Sequence, residues 1–408
     1  MPTWESNELI STRCNAVIWA LMVCLCIALA GCPGDSNNSA VPPGVAVPPG
    51  VALSPAAAAF VSLDLNNLAN YANPAMPAYY DAAVLLNDNT PVANPATDKI
   101  ATLGRVLFYD KRLSINNTIA CASCHIQTVG FSDTLRFSLG FSGAMFTSAH
   151  SMRLGNIRFY RPGTMFWNKR AGSVELQVSQ PIQDPIEMGF TPANGGIAAL
   201  LAKMQTLPYY PELFTFAFGD GAITEDRIQR AVAQFLRSMV SVNSKWDTGY
   251  APLYNPALPD KGLDLPIPSF TLEEDRGRHL FMAPAVAGGL GCAACHVPPT
   301  FALNANSLNI GLDAAETIVF KAPSLKNVGT AAAFMHDGRF STLEQVVEFY
   351  NSGIQPSPLL DPRLKGPGGV PLVLNLSVAD KAALVAFLRT LDDPVLAADS
   401  KFSSPFLQ

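Results

Sequence analysis

Two ten-residue stretches, "IACASCHIQT" at 119–128 and "GCAACHVPPT" at 291–300, each place a histidine directly after a Cys-x-x-Cys pair. Of the eight cysteines, Cys14, Cys24, Cys26 and Cys32 lie in or beside an apolar N-terminal run, so Cys121, Cys124, Cys292 and Cys295 are the only ones left downstream. A redox dithiol of the thioredoxin type, or a structural disulfide, is the competing explanation for such close pairs. Neither needs a histidine after the second cysteine, and neither needs it twice. Cys-x-x-Cys-His is the attachment pattern of haem c: the thiols add to two vinyl groups, and the adjacent imidazole is held under the iron. The expectation is therefore two covalent haems c, one on Cys121, Cys124 and His125, the other on Cys292, Cys295 and His296.

The two sites read as a duplication. "LGRVLF" at 103–108 precedes the first pair and "RGRHLF" at 276–281 the second, so G-R-x-L-F recurs ahead of each. Each copy fits a helix leading into a haem loop, and the second carries a capping pattern in Thr271 and Glu274. Between the sites, "TEDRIQRAVAQFLRSMVS" sets Ile228, Val232, Phe235 and Met239 on one helical face. Beyond the second site, "STLEQVVEFYNSG" predicts a helix capped by Ser341 with Glu344, with Leu343, Val346, Val347 and Tyr350 turned inward and Gly353 as its stop. A last helix is expected from Ser377 to about Leu391. Strand-like alternation is almost absent. The predicted fold class is mainly α: two cytochrome c-like haem domains packed together, with long irregular loops.

The first 32 residues have the character of an export signal. The run "AVIWALMVCLCIALA" ends at "LAGC", the small-residue pattern that precedes a lipidated cysteine, here Cys32. The run is short for a membrane span, although Glu5 and Glu8 against Arg13 make a poor positive flank. The segment after Cys32 repeats VPPGVA and reads as a flexible tether. The expected organisation is a lipoprotein-type signal at 1–32, a tether at 33–75, an N-terminal haem domain at 76–260 and a C-terminal one at 261–408. This implies a periplasmic location, with membrane contact only through the lipid on Cys32. A net charge of −5 without a basic block excludes nucleic acid as a partner, because phosphate binding needs clustered Lys and Arg.

The run "LGRVLFYDKRLS…CASCH…GFSD…SLG…FWNKRAGSVELQ…PIQDPIEMG", followed by "GCAACH…APSLKNVG…FMHDGRFSTLEQVVEFY", resembles the bacterial di-haem cytochrome c peroxidases, including the MauG branch. The likeness covers roughly residues 95–395, in order. It implies that the N-terminal haem reacts with hydrogen peroxide while the C-terminal haem exchanges electrons with a partner. It makes His125 and His296 the proximal ligands, Trp167 the residue between the haems, and Gln177 and Glu187 the polar groups on the peroxide side. A carboxylate there can move a proton from the near to the far oxygen of peroxide. The sixth ligand of the second haem becomes Tyr350, as in MauG, in place of the methionine of classical peroxidases, with Met335 as its competitor.

The chain departs from the family pattern in three places. Phe141 stands where many relatives carry a histidine that blocks the first haem, so that haem is expected to be open; His150, Met145 and Met152 lie in the same loop. His150 also stands in the place of an Asn that holds calcium between the domains, which leaves that ion in question here. "WNKRA" replaces W-D-G-R-A. Two function classes follow. One is an enzyme that reduces peroxide with electrons from a small redox protein, a cytochrome c or cupredoxin, or that oxidises aromatic residues of a protein substrate as MauG does. The other is a non-catalytic di-haem electron carrier.

Overall fold

A computed structural model of the protein describes residues 51–407, which form one compact unit. The signal-like segment, Cys32 and the first part of the tether lie outside the described residues. The described chain is helical with long connections, and its only β pairing is a set of isolated bridges. No helix among the described residues is long and apolar enough to cross a membrane.

Residues 51–75, assigned to the tether by their composition, are packed. Ala57, Val61, Leu65 and Tyr71 are buried in the first core, and Val61 bridges to Phe406 near the other end of the chain. Tyr71 donates its hydroxyl to the Lys401 carbonyl at 2.6 Å, and Ser54 pairs through its N–H and hydroxyl with Glu212. Alanine-rich sequence reads as loose because each residue has little to bury. Here it packs because the chain's last residues supply a partner surface.

Two hydrophobic clusters organise the body. The first gathers Leu103, Val106, Leu107 and Phe108 with Ile228, Val232, Phe235 and Met239, and it also takes Leu396 and Phe402 from the C-terminal end. The predicted inward face of the Glu225–Arg237 helix is therefore all buried. The second cluster gathers Leu280, Phe281, Phe301, Leu384 and Phe387, and reaches back to Val240, Trp246 and Tyr250 and to Tyr79 and Tyr80. Removing a large apolar side chain of this kind from water is worth roughly 1.5–3 kcal/mol.

The duplication extends well past G-R-x-L-F. Gly104 on the Asp98–Tyr109 helix lies so close to the Glu225–Arg237 helix that a Cβ would strike the Ala231 carbonyl; Gly277 on the Leu272–Met282 helix meets the Ala383 carbonyl of the Val378–Arg389 helix likewise. Each half thus crosses the helix ahead of its Cys-x-x-Cys-His motif over a later helix at a glycine. Phe131 and Phe301 both have positive φ, as do Asn156 and Asn327. The Asn156 side-chain oxygen accepts the Ser241 N–H, and that of Asn327 accepts the Asp393 N–H. A bridge joins Met165 to Ala171 in the first half and Phe334 to Phe340 in the second.

Each bridge leads into a capped helix. Ser173 caps Val174–Gln183, and Thr342 caps Leu343–Glu348. The latter corrects the expected Ser341 and Glu344 box: Thr342, one residue on, holds the extended cap conformation and bonds Gln345 reciprocally, leaving Glu344 outside the box. The other two expectations stand, with Thr271 and Glu274 forming a capping box and Ser377 capping Val378–Arg389.

Candidate active site

Two cavities open in the body, one beside each Cys-x-x-Cys-His motif. The first, about 590 Å³, is lined by Cys121, Cys124 and His125, and also by Trp167, Gln177 and Glu187. The second, about 230 Å³, is lined by Cys292, Cys295 and His296, and also by Trp167, Tyr350 and Met335. Seven residues line both: His150, Ser151, Met152, Trp167, Phe320, Lys321 and His336. The cavities therefore share a wall, and Trp167 is part of it.

The donor set in each cavity fits a haem c. None of the four cysteines is joined in a disulfide, and burial pushes the thiols of Cys121 and Cys292 up to about 12 and that of Cys124 up to about 11. The His125 Nδ1 lies 2.9 Å from the Phe131 carbonyl; because that oxygen can only accept, Nδ1 carries the proton and Nε2 keeps its lone pair for a metal. Burial lowers the pKa of His125, and lowers that of His296 to about 4, so both imidazoles are neutral as metal ligation requires. The His296 Nδ1 is buried without a hydrogen-bond partner.

Glu187 is placed by a short built turn. The Asp184 carboxylate accepts the N–H groups of Ile186 and Glu187 at 2.8 and 2.9 Å, and Gly189, at φ 86°, returns its N–H to the Asp184 carbonyl. That left-handed residue is one only glycine takes readily. Burial raises the Glu187 carboxyl to about 7; Asp184 adds to the rise, and Arg170 opposes it. Gln177 comes from the Val174–Gln183 helix, which also carries Pro181 into the cavity wall. The Trp167 indole N–H donates to the His150 carbonyl at 2.7 Å, fixing the ring in the wall.

The loop residues expected to bear on the first iron are scattered. Phe141 and Met145 do not line the cavity: the Phe141 ring lies against Gly189, and Met145 is exposed. Met152 does line it. His150 is buried, its Nε2 3.0 Å from the Ser132 hydroxyl and its Nδ1 3.1 Å from the Arg136 carbonyl, so both ring nitrogens are engaged by the protein.

Tyr350 lies on a π-helical turn, Phe349–Gly353, that continues the Leu343–Glu348 helix. Burial pushes its phenol up, with the Cys295 and Cys292 thiols adding to the shift. Met335 lines the same cavity from a residue at φ 68°.

Several wall residues escaped the sequence reading. Aligning the two bridges, Met165–Ala171 on Phe334–Phe340, puts Trp167 opposite His336 and, further on, Pro181 opposite Tyr350. The bonds across the wall are reciprocal: the His150 N–H donates to the His336 carbonyl at 2.9 Å, and the Lys321 N–H donates to the Trp167 carbonyl at 2.8 Å. Glu316 lines the first cavity, lies 3.5 Å from the His336 Nε2, and is raised to about 7 chiefly by burial. Only the repeat register, extended beyond the cysteines, could have pointed to these positions.

The di-haem cytochrome c peroxidase family matches residues 98–251 and 273–354. The methylamine utilization protein MauG of Methylorubrum extorquens is 32% identical over 319 residues, covering 74% of this chain and 80% of that protein. The cytochrome c551 peroxidase of Nitrosomonas europaea is 28% identical over 342 residues, 77% of this chain and 87% of its own. Among solved structures, a MauG-like protein associated with microbial copper homeostasis superposes with a TM-score of 0.64 at 29% identity, covering 82% of this chain and 99% of that one.

Proposed function

The chain belongs to the di-haem cytochrome c peroxidase family, and from that premise we propose that it reduces hydrogen peroxide at the first cavity with electrons admitted through the second. Cys121, Cys124 and His125 would hold one haem c, and Cys292, Cys295, His296 and Tyr350 the other. A haem bound in the first cavity would supply iron redox chemistry for the reduction of peroxide.

The chain's own groups manage protons and position. Reduction of one peroxide to two waters consumes two electrons and two protons from outside, and before the O–O bond breaks peroxide's own proton must move from the near oxygen to the far one. Glu187, with its carboxyl at about 7, holds and releases a proton with little driving force either way near neutral pH, which suits such a shuttle. The Gln177 amide can donate to an oxygen in the same cavity. The acceptor of the Trp167 indole proton is a carbonyl, a poor base, so the indole keeps its proton when the ring passes charge across the wall.

The observation that carries this reading is the difference between the cavities. The position that is Tyr350 in the second half is Pro181 in the first, and proline has no atom that can ligate iron. A two-site electron carrier would fill both positions. Tyr350 also supports a MauG-like oxidation of a partner protein, because an anionic phenolate stabilises oxidised iron. We further place the protein in the periplasm, held through a lipid on Cys32.

The test is a haem count with a resting-state spectrum. A pyridine haemochrome assay should report two haems per chain. Electron paramagnetic resonance of the ferric protein should show a high-spin component that reacts with peroxide without prior reduction. One haem per chain, or low-spin signals alone with no such reaction, overturns the reading.

A further inference from the structure

Glu316 belongs to the second half of the chain but lines the first cavity. It stands in a segment, 313–318, whose other five residues are all exposed. Its side chain is turned inward and is 8% exposed. The backbone is pinned at this residue, where the Glu316 carbonyl accepts the Asn309 side-chain N–H and the Ser357 hydroxyl, both at 2.8 Å. One carboxylate oxygen lies 3.5 Å from the His336 Nε2; the other, Oε2, is buried with no hydrogen-bond partner. Ile318, two residues on and 50% exposed, lines the same cavity. A side chain that is half exposed and also part of the cavity wall leaves only a single layer of chain between the cavity and solvent here.

The reaction proposed above takes two protons from outside for each peroxide, and Glu187 accounts only for peroxide's own. A buried carboxylate oxygen without a donor is costly to keep ionised, and protonation relieves that cost by turning it into a donor. We propose that Glu316 is the carboxyl through which solvent protons enter the first cavity. The assignment rests on the peroxidase reading above. For each peroxide the carboxyl twice gives its proton to an oxygen that leaves as water and twice takes another from solvent, while the two electrons arrive from the outside donor through the second cavity. Burial lifts Glu316 to about 7; Asp313 and Asp337 add to the rise, and the Leu312 N–H and Arg339 oppose it. The carboxyl therefore exchanges protons readily near neutral pH. The His336 ring that faces it has its own pKa lowered, chiefly by burial. Glu187 is faced by a different set, Asp184 and Arg170, so the two carboxyls sit at separate edges of the cavity.

Rapid mixing of the di-haem protein tests the assignment, first with peroxide and then with ascorbate as the electron source, while a pH-indicator dye follows proton uptake. Glu316→Gln should leave the first step at its wild-type rate, because that step takes no proton from outside. It should slow the ascorbate-driven return and its proton uptake by about 10². In the wild type the return should slow as pH rises through about 7, since the carboxyl must hold a proton to give one; Glu316→Gln should flatten that profile, and Glu316→Asp should restore it. Infrared spectra of the resting protein should show a carboxyl band that titrates near neutral pH, absent from Glu316→Gln but kept in Glu187→Gln. An unslowed return, equal slowing of both steps, or an unchanged infrared titration in Glu316→Gln overturns the assignment. Should Glu316→Gln fail to load both haems, Glu316→Ser is held to the same criteria. A wild-type protein that does not react with peroxide refutes the peroxidase reading instead, so the two failures are distinguishable.

Discussion

At the scale of single residues, Glu187 shows how a surface-looking carboxylate comes to line a cavity. In "PIEMGF" it could sit at any helix start, but Asp184 and Gly189 bend the turn so that Glu187 enters the cavity, where burial lifts its carboxyl from the ordinary 4.5 to about 7. As a base it must be ionised, so the peroxide step should speed up as pH rises through about 7. Glu187→Gln should slow that step by about 10² or more and flatten the profile, which stopped-flow mixing with peroxide reads directly. The same shift has a cost in stability. The raised carboxyl binds a proton in the folded state that the unfolded chain has already released above 4.5, so this group's contribution falls as pH rises from 4.5 through about 7 and then levels off. In Glu187→Gln, denaturant midpoints should lose that fall.

At the scale of elements, the two halves use the same parts and diverge where function requires it. Tyr350 sits where the helix widens into a π turn, a local rearrangement that concentrates at functional sites because it re-aims one side chain. Periodicity alone left Tyr350 as a core residue or a ligand; the turn and the thiols beside it favour the ligand. Tyr350→Phe should alter the visible spectrum of the second haem, whereas Met335→Leu should leave it unchanged; the opposite pattern assigns the site to Met335. The crossing glycines make a separate prediction. Gly104→Ala and Gly277→Ala each force a methyl into the carbonyl of the opposing helix, so the backbones must separate. Each should destabilise the protein by about 1–3 kcal/mol in chemical denaturation, the usual cost of overpacking.

At the scale of the whole molecule, the two Cys-x-x-Cys-His motifs, the helical class and the buried face of the Glu225–Arg237 helix could be read from the chain. A covalent attachment motif is local, and a helical face repeats within a few residues, so neither depends on distant contacts. The packing of residues 51–75 could not be read, because it depends on Phe406 and Lys401, more than three hundred positions away. Nor could the placing of Phe141 outside the first cavity and of Pro181 in its wall be read, because a residue beside a motif need not face the cavity. The sequence by itself determined where the two Cys-x-x-Cys-His donor sets lie, since that pattern is carried by neighbouring side chains. Only the tertiary structure decided that Trp167, His150, Lys321 and His336 form one wall between two cavities, because their proximity comes from the packing of two repeated halves, and no short stretch of chain encodes a distance across that packing.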